Sequence, residues 1–152
     1  MIHKISIAAL VTQNDQLLMI KEKQSNVVSW DIPAGGVDQG EALEEAVIRE
    51  AMEEGGVKIK NLALVGILSF VQSSKTTINF VYKADLDRFI DTSNVVSVED
   101  EEIEDVKLFS RKQVKDIIDR KEYEHKLAMV RLSLFLNKNY TVSTSPLTIY
   151  EN

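Results

Sequence analysis

One segment beginning at Gly35 constrains this chain more than any other part of its sequence. It reads GGVDQGEALEEAVIREAMEEGGV. Asp38 and Glu41 have the spacing of a capping box, which predicts that a helix starts near Gln39–Gly40. The residues that follow are strong helix formers without proline or glycine. The paired glycines at 55–56 then predict the end of the helix.

The acidic residues of this helix fall on a side that should face the protein core. Carboxylates facing a core are costly unless a positive charge meets them, and neighbouring carboxylates repel one another unless a cation is bound. Oxygen ligands suit a hard divalent ion, so the helix predicts a Mg²⁺ site, with Mn²⁺ as the alternative. The competing interpretation is a solvated acidic face, which fits Glu44 and Glu45 because they lie off the stripe. The stripe, at helical period, consists of Leu43, Ala46, Val47, Glu50 and Glu54, with Glu53 on its edge.

The spacing within this segment is that of a known family signature. On it the chain resembles the Nudix hydrolases, which cleave diphosphates attached to some other group, X. The preceding WDIPA, residues 30–34, is similar to the lead-in of that family. The resemblance is specific from Trp30 to Val57 and covers residues 3–138 in outline. The matching positions are Gly35, Glu41, Arg49, Glu50, Glu53, Glu54 and Gly56.

The resemblance implies metal-binding and catalytic roles for four residues. Glu53 and Glu54 match the main metal-binding pair of the family. Glu50 matches the glutamate that binds metal or orients the attacking water. Gly35 matches the residue whose carbonyl can join the coordination shell. A metal-activated water would then attack one phosphorus of the diphosphate bridge.

The remaining motif residues are expected to be structural. Arg49 and Glu41 match an ion pair that holds the preceding loop against the helix. Gly36 belongs to a glycine-rich loop that can bring backbone close to a ligand, and Gly56 ends the helix.

Size and composition favour one intracellular enzyme domain. With 152 residues and 44% hydrophobic residues, the chain is expected to form a single domain, with a core at about 3–138 and a C-terminal tail at 139–152. The absence of cysteine excludes disulfides and thiolate catalysis. A net charge of −6 argues against binding to nucleic acid or to an anionic membrane, but not against a small phosphorylated substrate. Since the sequence shows neither a signal peptide nor an apolar transmembrane run, we expect a cytoplasmic location.

The pattern of apolar residues predicts an α/β fold. Strands and helices alternate in a way that favours a mixed sheet covered by helices on both faces, in agreement with the α/β/α sandwich of the Nudix family. Predicted strands are Ile5–Val11 and Leu17–Lys23 as a hairpin, Leu62–Val71, Thr76–Leu86 and Val106–Phe109; helices are expected after the capping box of Ser110 and Gln113 and over Glu124–Lys138.

Residues outside the motif give weaker hypotheses. In the acidic run at 99–105, Glu101 or Glu102 is a candidate further ligand or base, and a solvated loop is the alternative. Trp30 and Phe80, with Phe70 and Tyr82, could stack on a flat ring, although core packing is the usual role of an aromatic residue. Lys21 and Lys23 could meet substrate phosphates. For the tail from Tyr140 onward we expect loose attachment, with a role of Leu147–Tyr150 as a lid or homodimer arm as the alternative.

These observations predict a Mg²⁺-dependent hydrolase that cleaves the diphosphate linkage of a nucleoside di- or triphosphate or of a nucleoside diphosphate derivative. An ADP-ribose or nucleotide-sugar pyrophosphatase is one alternative. A ligand-sensing domain of the same fold without catalysis is the other, although such domains often lack glutamates that this motif retains.

Overall fold

The computed structural model describes residues 2–22, 29–90, 103–137 and 147–151. Within them the chain forms one mixed sheet of eight strands and three helices. The strand order is β3-β2-β1-β6-β5-β8, with β4 paired to β1 and β7 paired to β2. The elements are β1 (Ile2–Gln13), β2 (Gln16–Glu22), β3 (Trp30–Asp31), β4 (Ala34–Gly36), α1 (Leu43–Glu53), β5 (Val57–Gln72), β6 (Lys75–Phe89), β7 (Ile103–Phe109), α2 (Arg111–Asp119), α3 (Lys126–Leu136) and β8 (Leu147–Glu151).

Helices cover both faces of the sheet, which confirms the predicted sandwich. Side chains alternate along β1, so Ile7 and Ala9 pack towards α1 whereas Ala8 and Leu10 join the core beneath α2 and α3. None of these four side chains is exposed to solvent. The sheet therefore separates a layer that contains α1 from a layer that contains α2 and α3. Among the described residues no helix is long and apolar enough to cross a membrane.

Two short-range predictions are confirmed. The hairpin between β1 and β2 turns at Asn14 and Asp15, which have φ values of 50° and 61°. Positive φ at both central residues matches the right-handed twist of the strands. At the start of α2 the Ser110 side chain accepts from the Gln113 backbone N–H at 3.2 Å, and the Gln113 side chain accepts from the Ser110 N–H at 2.8 Å.

The predicted start of the acidic helix is wrong by three residues. Helix α1 begins at Leu43, with Ala42 as its N-cap. Gly40 has a φ of +82°, which is incompatible with a right-handed helix. Asp38 and Glu41 instead close a turn, in which the Glu41 N–H donates to the Asp38 carbonyl at 3.1 Å. The end of the helix is as predicted, with Gly56 at a φ of +62°.

The expectation of a loosely attached tail is wrong for residues 147–151. They form β8, which pairs in parallel with the outer edge of β5 over Leu68–Gln72. Ile149 lies in the same core cluster as Phe70 and is only 8% exposed. Exposure alternates along this strand, with Thr148 and Tyr150 exposed and Ile149 buried, and the burial of Ile149 holds the edge strand in place.

Candidate active site

The C-terminal half of α1 packs against Ala34 and Gly35, at the point where the loop after β3 runs into strand β4; this point is called the Ala34–Gly35 loop below. The Ala34 N–H donates to Glu54 Oε1 at 2.7 Å. Glu50 approaches Gly35 so closely that a Cβ on that glycine would lie 1.9 Å from Glu50 Oε1. Both glutamates are buried, at 5% and 4% exposure. Two carboxylates and a glycine backbone thus meet at one place, as the sequence predicted.

Arg49 connects this loop, the turn before the helix and the helix itself. Its Nε and Nη2 donate to the two carboxylate oxygens of Glu41 at 2.7 and 3.0 Å, and its Nη2 also donates to the Gly36 carbonyl at 2.9 Å. The predicted ion pair between Arg49 and Glu41 is therefore confirmed. The hydrogen bond from Arg49 lowers the pKa of Glu41 from 4.5 to about 2. The same bond is the main reason that the pKa of Arg49 is raised.

Arg49 also holds two of the predicted metal ligands. Its Nη1 donates to Glu50 Oε1 at 2.7 Å and to Glu53 Oε2 at 3.4 Å. Glu53 lies at the exposed edge of the helix, with 38% of its side chain accessible. Throughout the described ranges no three acidic or histidine side chains are gathered into a ready-made metal cage. The expectation that the acidic residues of this helix face the core therefore holds for Glu50 and Glu54 but is wrong for Glu53, which lies at the edge of the stripe and is held at the rim by Arg49.

The residues present nevertheless fit a hard divalent cation. The donor set comprises the carboxylates of Glu50, Glu53 and Glu54 and the nearby backbone of Gly35, all of which supply oxygen. The contact between Gly35 and Glu50 is a second point in favour, because it excludes any side chain between the carboxylate and the loop.

A cleft of about 310 Å³ opens on the other side of the Ala34–Gly35 loop, beneath α3. The three motif glutamates are not part of its lining, so the cleft adjoins the carboxylates across the loop. Its lining includes Lys4, whose side chain lies against Gly36. Phe70 and Leu127 supply apolar surface to the same lining. The cleft can therefore hold a molecule that has both an apolar part and a charged part, next to Ala34 and Gly35.

The floor of the cleft is a buried chain of polar side chains. Asn79 Nδ2 donates to Ser6 Oγ at 2.8 Å, and Arg131 Nε donates to Asn79 Oδ1 at 3.1 Å. Arg131 Nη1 also donates to Asp31 Oδ2 at 3.2 Å. Ser6, Asn79 and Arg131 are each at most 5% exposed. Such groups are costly to bury unless they are hydrogen-bonded to one another or to a ligand.

Three of the residues that the sequence suggested for substrate binding, Trp30, Phe80 and Lys21, do not line the cleft. Trp30 is 8% exposed and packs edge-on against Phe109, with ring centroids 4.7 Å apart. Phe80 is partly buried in the core cluster on the α1 side of the sheet. Lys21 forms an ion pair with Glu104 at 3.0 Å.

Three further candidates, Lys23, Glu101 and Glu102, lie outside the described residues. Of the other aromatic candidates, Phe70 lines the cleft, whereas Tyr82 lies on the opposite face and donates to Glu44 at 3.1 Å.

Sequence reasoning missed Lys4, Ser6, Asp31 and Arg131. One pattern could have revealed Arg131: it is the only charged residue after Lys126 in a helix that otherwise reads KLAMVRLSLFL. A lone arginine on an apolar helix needs a buried partner. The other three have no local pattern that distinguishes them from ordinary strand residues.

Comparison with known proteins agrees with this geometry. The family model described as NUDIX domain matches residues 2–130. A putative 8-oxo-dGTP diphosphatase of Bacillus subtilis is 40% identical over 58 residues, which are 38% of this chain and 38% of that protein. The NAD-capped RNA hydrolase NudC of Shigella flexneri is 41% identical over 59 residues, which are 39% of this chain and 23% of that protein. These matches thus span well under half the length of the relatives.

Solved structures show the same fold. A NUDIX hydrolase from Nitrosomonas europaea superposes with a TM-score of 0.69 at 22% identity, over 88% of each chain. A mutator MutT protein from Bacillus halodurans superposes with a TM-score of 0.70 at 19% identity, over 97% of this chain and 89% of that one. At this level of identity the likeness concerns the fold alone.

Proposed function

Because the chain belongs to the Nudix family, we propose that it is a Mg²⁺-dependent hydrolase that cleaves the diphosphate linkage of a nucleoside di- or triphosphate or of a nucleoside diphosphate derivative. Mn²⁺ is the alternative ion. The observation that carries the proposal is the packing of Glu50 and Glu54 against the Ala34–Gly35 loop, at the end of a cleft large enough for part of a nucleotide. The name of the Bacillus relative, a putative 8-oxo-dGTP diphosphatase, also supports a nucleotide substrate.

The proposed ligands of the ion are the carboxylates of Glu50, Glu53 and Glu54, with the carbonyl of Gly35. When bound, the ion supplies a water of lowered pKa and positive charge for the phosphate oxygens. Glu50 is the proposed residue that aligns the attacking water or takes its proton, with the acids at 101–102 as the alternative. The Ala34 N–H, at 2.7 Å from Glu54 Oε1, fixes the orientation of that carboxylate.

Arg49 is a positioning residue in this mechanism. Its bond of 2.7 Å to Glu50 Oε1 sets the direction of the carboxylate next to Gly35. Its bonds to Glu41 and to the Gly36 carbonyl hold the loop at a fixed distance from the helix. Preorganisation of this kind matters because a misplacement of about 1 Å at a reacting centre can cost about 100-fold in rate.

Lys4 is the proposed contact for substrate phosphate. It lines the cleft, and its side chain lies against Gly36, the residue that follows Gly35 of the proposed metal site. A lysine there would offset phosphate charge between the cleft and the acidic end of α1. The earlier candidate, Lys21, is paired with Glu104 and does not line the cleft.

The experiment that tests this function is a hydrolysis screen with Mg²⁺ and with Mn²⁺, combined with one variant and its matched control. The panel comprises (deoxy)nucleoside triphosphates, oxidised nucleotides, nucleotide sugars, ADP-ribose and dinucleoside polyphosphates. Glu53→Gln removes a proposed ligand at an exposed position, so the variant should fold normally. Glu44→Gln makes the same change on the same helix, and its amide oxygen can still accept from Tyr82.

We expect Glu53→Gln to lose at least about 100-fold in kcat/KM, because even partners outside the coordination shell cost 10–100-fold. Glu44→Gln should retain wild-type activity. The melting temperature in excess Mg²⁺ or Mn²⁺ gives a readout apart from activity: at about 100 times Kd the ion should stabilise the folded protein by about 2.7 kcal/mol. Glu53→Gln should reduce that stabilisation. Equal activity of the two variants would overturn the metal assignment, and binding of nucleotides without hydrolysis would favour a ligand sensor.

A further inference from the structure

The polar chain on the cleft floor, formed by Ser6, Asn79, Arg131 and Asp31, brings together four separate elements. Ser6 and Asn79 lie directly opposite each other on the paired strands β1 and β6. Arg131 reaches them from α3, and Asp31 is on β3, immediately before the loop at 32–35. The hydrogen bonds of the polar chain therefore connect the strands β1 and β6, through the covering helix α3, to the strand β3 that leads into the proposed metal site.

The direction of every hydrogen bond in the polar chain follows from its arginine. A guanidinium can only donate, so the atom of Asn79 that faces Arg131 must be its carbonyl oxygen. The amide nitrogen of Asn79 then faces Ser6 and donates, so Ser6 Oγ accepts at 2.8 Å. That bond leaves the hydroxyl hydrogen of Ser6 for a different acceptor. Ser6 and Arg131 both line the cleft.

The cleft floor consequently presents groups in a defined order. Ser6 offers an O–H donor and Arg131 offers N–H donors, because its bonds to Asn79 and Asp31 do not use all the hydrogens of the guanidinium. Asp31 Oδ1 accepts from the Ile32 N–H at 2.7 Å and its Oδ2 accepts from Arg131, and each carboxylate oxygen can accept one further bond. Followed along the polar chain from Ser6 through Arg131 to Asp31, these groups are a donor, a donor and an acceptor.

The walls of the cleft suit a flat ring. Phe70 and Leu127 face the cleft, and the His125 ring lies 6.0 Å from that of Phe70 with a tilt of 38°. The Nδ1 atom of His125 accepts from the Ala128 N–H at 3.1 Å, so the ring is fixed as the N-cap of α3. Apolar and aromatic walls with a few convergent polar groups are typical of sites that bind a ring by its faces and recognise it by its edge.

We propose that the polar chain recognises the base of the substrate and selects 6-oxopurine nucleotides over 6-aminopurine nucleotides. Along one edge a 6-oxopurine presents N7 and O6 as acceptors and N1–H as a donor, which complements donor, donor, acceptor. Adenine presents an acceptor, a donor and an acceptor, so its amino group would face the donors of Arg131. The assignment rests on the proposed function, because it takes the cleft as the site for the nucleoside part of the substrate.

A purely structural role for the polar chain predicts different behaviour. If Arg131 only tied α3 to the sheet, its replacement would lower stability but would leave the preference between bases unchanged. The preference itself is therefore the decisive readout. A site that is built to hydrogen-bond a substrate group can discriminate strongly against an analogue without it, because its buried polar groups are then left unpaired.

The test compares GTP, ITP and ATP as substrates of the wild-type protein and of two variants. The three nucleotides share the ribose and triphosphate, and ITP lacks the 2-amino group of GTP, so it isolates the O6 and N1–H positions. Ser6→Ala removes one donor with little change in volume. Arg131→Lys keeps the charge but removes the planar arrangement of N–H donors. Ser133→Ala on the same helix and Arg111→Lys on α2 are the matched controls, because neither residue lines the cleft.

We expect the wild type to prefer GTP and ITP over ATP by at least about tenfold in kcat/KM. Ser6→Ala and Arg131→Lys should reduce this ratio severalfold or more, mainly through KM for GTP and ITP, whereas the controls should keep it. Binding of GDP and ADP, measured by calorimetry, gives the same comparison without hydrolysis. If Arg131→Lys folds poorly, Ser6→Ala alone tests the proposal. Equal use of GTP and ATP, or a ratio that survives in both variants, would overturn the inference. Selective GDP binding without hydrolysis of any nucleotide would instead overturn the proposed function alone.

Discussion

Substitution of Gly35 by alanine should disable the site by steric contact alone. A Cβ at this position would lie 1.9 Å from Glu50 Oε1, 2.3 Å from Cδ and 2.8 Å from Oε2. Ordinary contact begins at about 3.4 Å, so the carboxylate must move by more than about 1 Å. Glu50 cannot move freely, because it is buried and its Oε1 is held by Arg49 at 2.7 Å.

This displacement has two measurable consequences. We expect kcat on the nucleotide identified by the screen to fall by about 100-fold, which is the cost of a misplacement of about 1 Å. Overpacking should also lower the free energy of unfolding by about 1–3 kcal/mol, which corresponds to roughly 2–12 °C in melting temperature for a chain of this size. Steady-state kinetics and thermal unfolding followed by circular dichroism would measure the two effects.

Two other glycines of the same motif serve as controls. A Cβ at Gly36 would meet only the flexible end of the Lys4 side chain, with Cε at 3.2 Å and Nζ at 3.8 Å, so Gly36→Ala should be close to neutral in stability and should leave Glu50 in place. A Cβ at Gly40 would meet nothing within 4 Å, but the φ of +82° strains any other residue, so Gly40→Ala should lose stability without a large loss of kcat. If Gly35→Ala retained wild-type kcat and stability, the close packing of Glu50 on this loop could not be a requirement of the site.

Two further predictions concern stability. Ile149→Ala should lower the free energy of unfolding by about 2 kcal/mol, because it empties a buried position where β8 meets the core. Thr148→Ala, on the exposed side of the same strand, should change it by no more than about 0.5 kcal/mol. Urea unfolding of both variants would measure this, and equal effects would refute the docking of β8. The pKa of Glu41 is lowered to about 2 by its hydrogen bond to Arg49, so its stabilising contribution is present above the unfolded value of 4.5 and is lost as the pH falls towards 2. Glu41→Gln should therefore destabilise the protein at pH 6 but have little effect near pH 2, and an effect of equal size at both values would contradict the ion pair.

The parts of the fold that depend on neighbours in sequence could be predicted from the sequence. The capping box at Ser110 and Gln113, the turn at Asn14–Asp15 and the glycine end of α1 each use contacts within a few residues. The start of α1 could not be placed correctly, because Asp38 and Glu41 can form either a cap or a turn. The left-handed backbone of Gly40 decides between the two, and a glycine permits that conformation without requiring it.

The cleft could not be predicted, because its residues are brought together only by tertiary packing. Ser6 and Asn79 are 73 residues apart, and Arg131 and Asp31 are 100 residues apart. The register of β1 with β6 sets the first contact, and the docking of α3 on the sheet sets the second. Neither is encoded in a short pattern. For the same reason Trp30 was a candidate for stacking, although its ring packs against Phe109 from a strand that is distant in sequence.

The contacts of Arg49 explain why spacing, and not acidic composition, identifies this site. Arg49 and Glu41 are eight residues apart, which is too far for the pairing of residues on adjacent turns of one helix. They meet because the chain reverses at Gly40 and brings Glu41 back beside the second turn of α1, where the Arg49 guanidinium bonds both of its oxygens. The same guanidinium then reaches Glu50 on one side and the Gly36 carbonyl on the other. A shift of Arg49 by one position along the helix would rotate it by about 100° and break all of these contacts together, whereas an exchange among Glu44 and Glu45 would leave them intact.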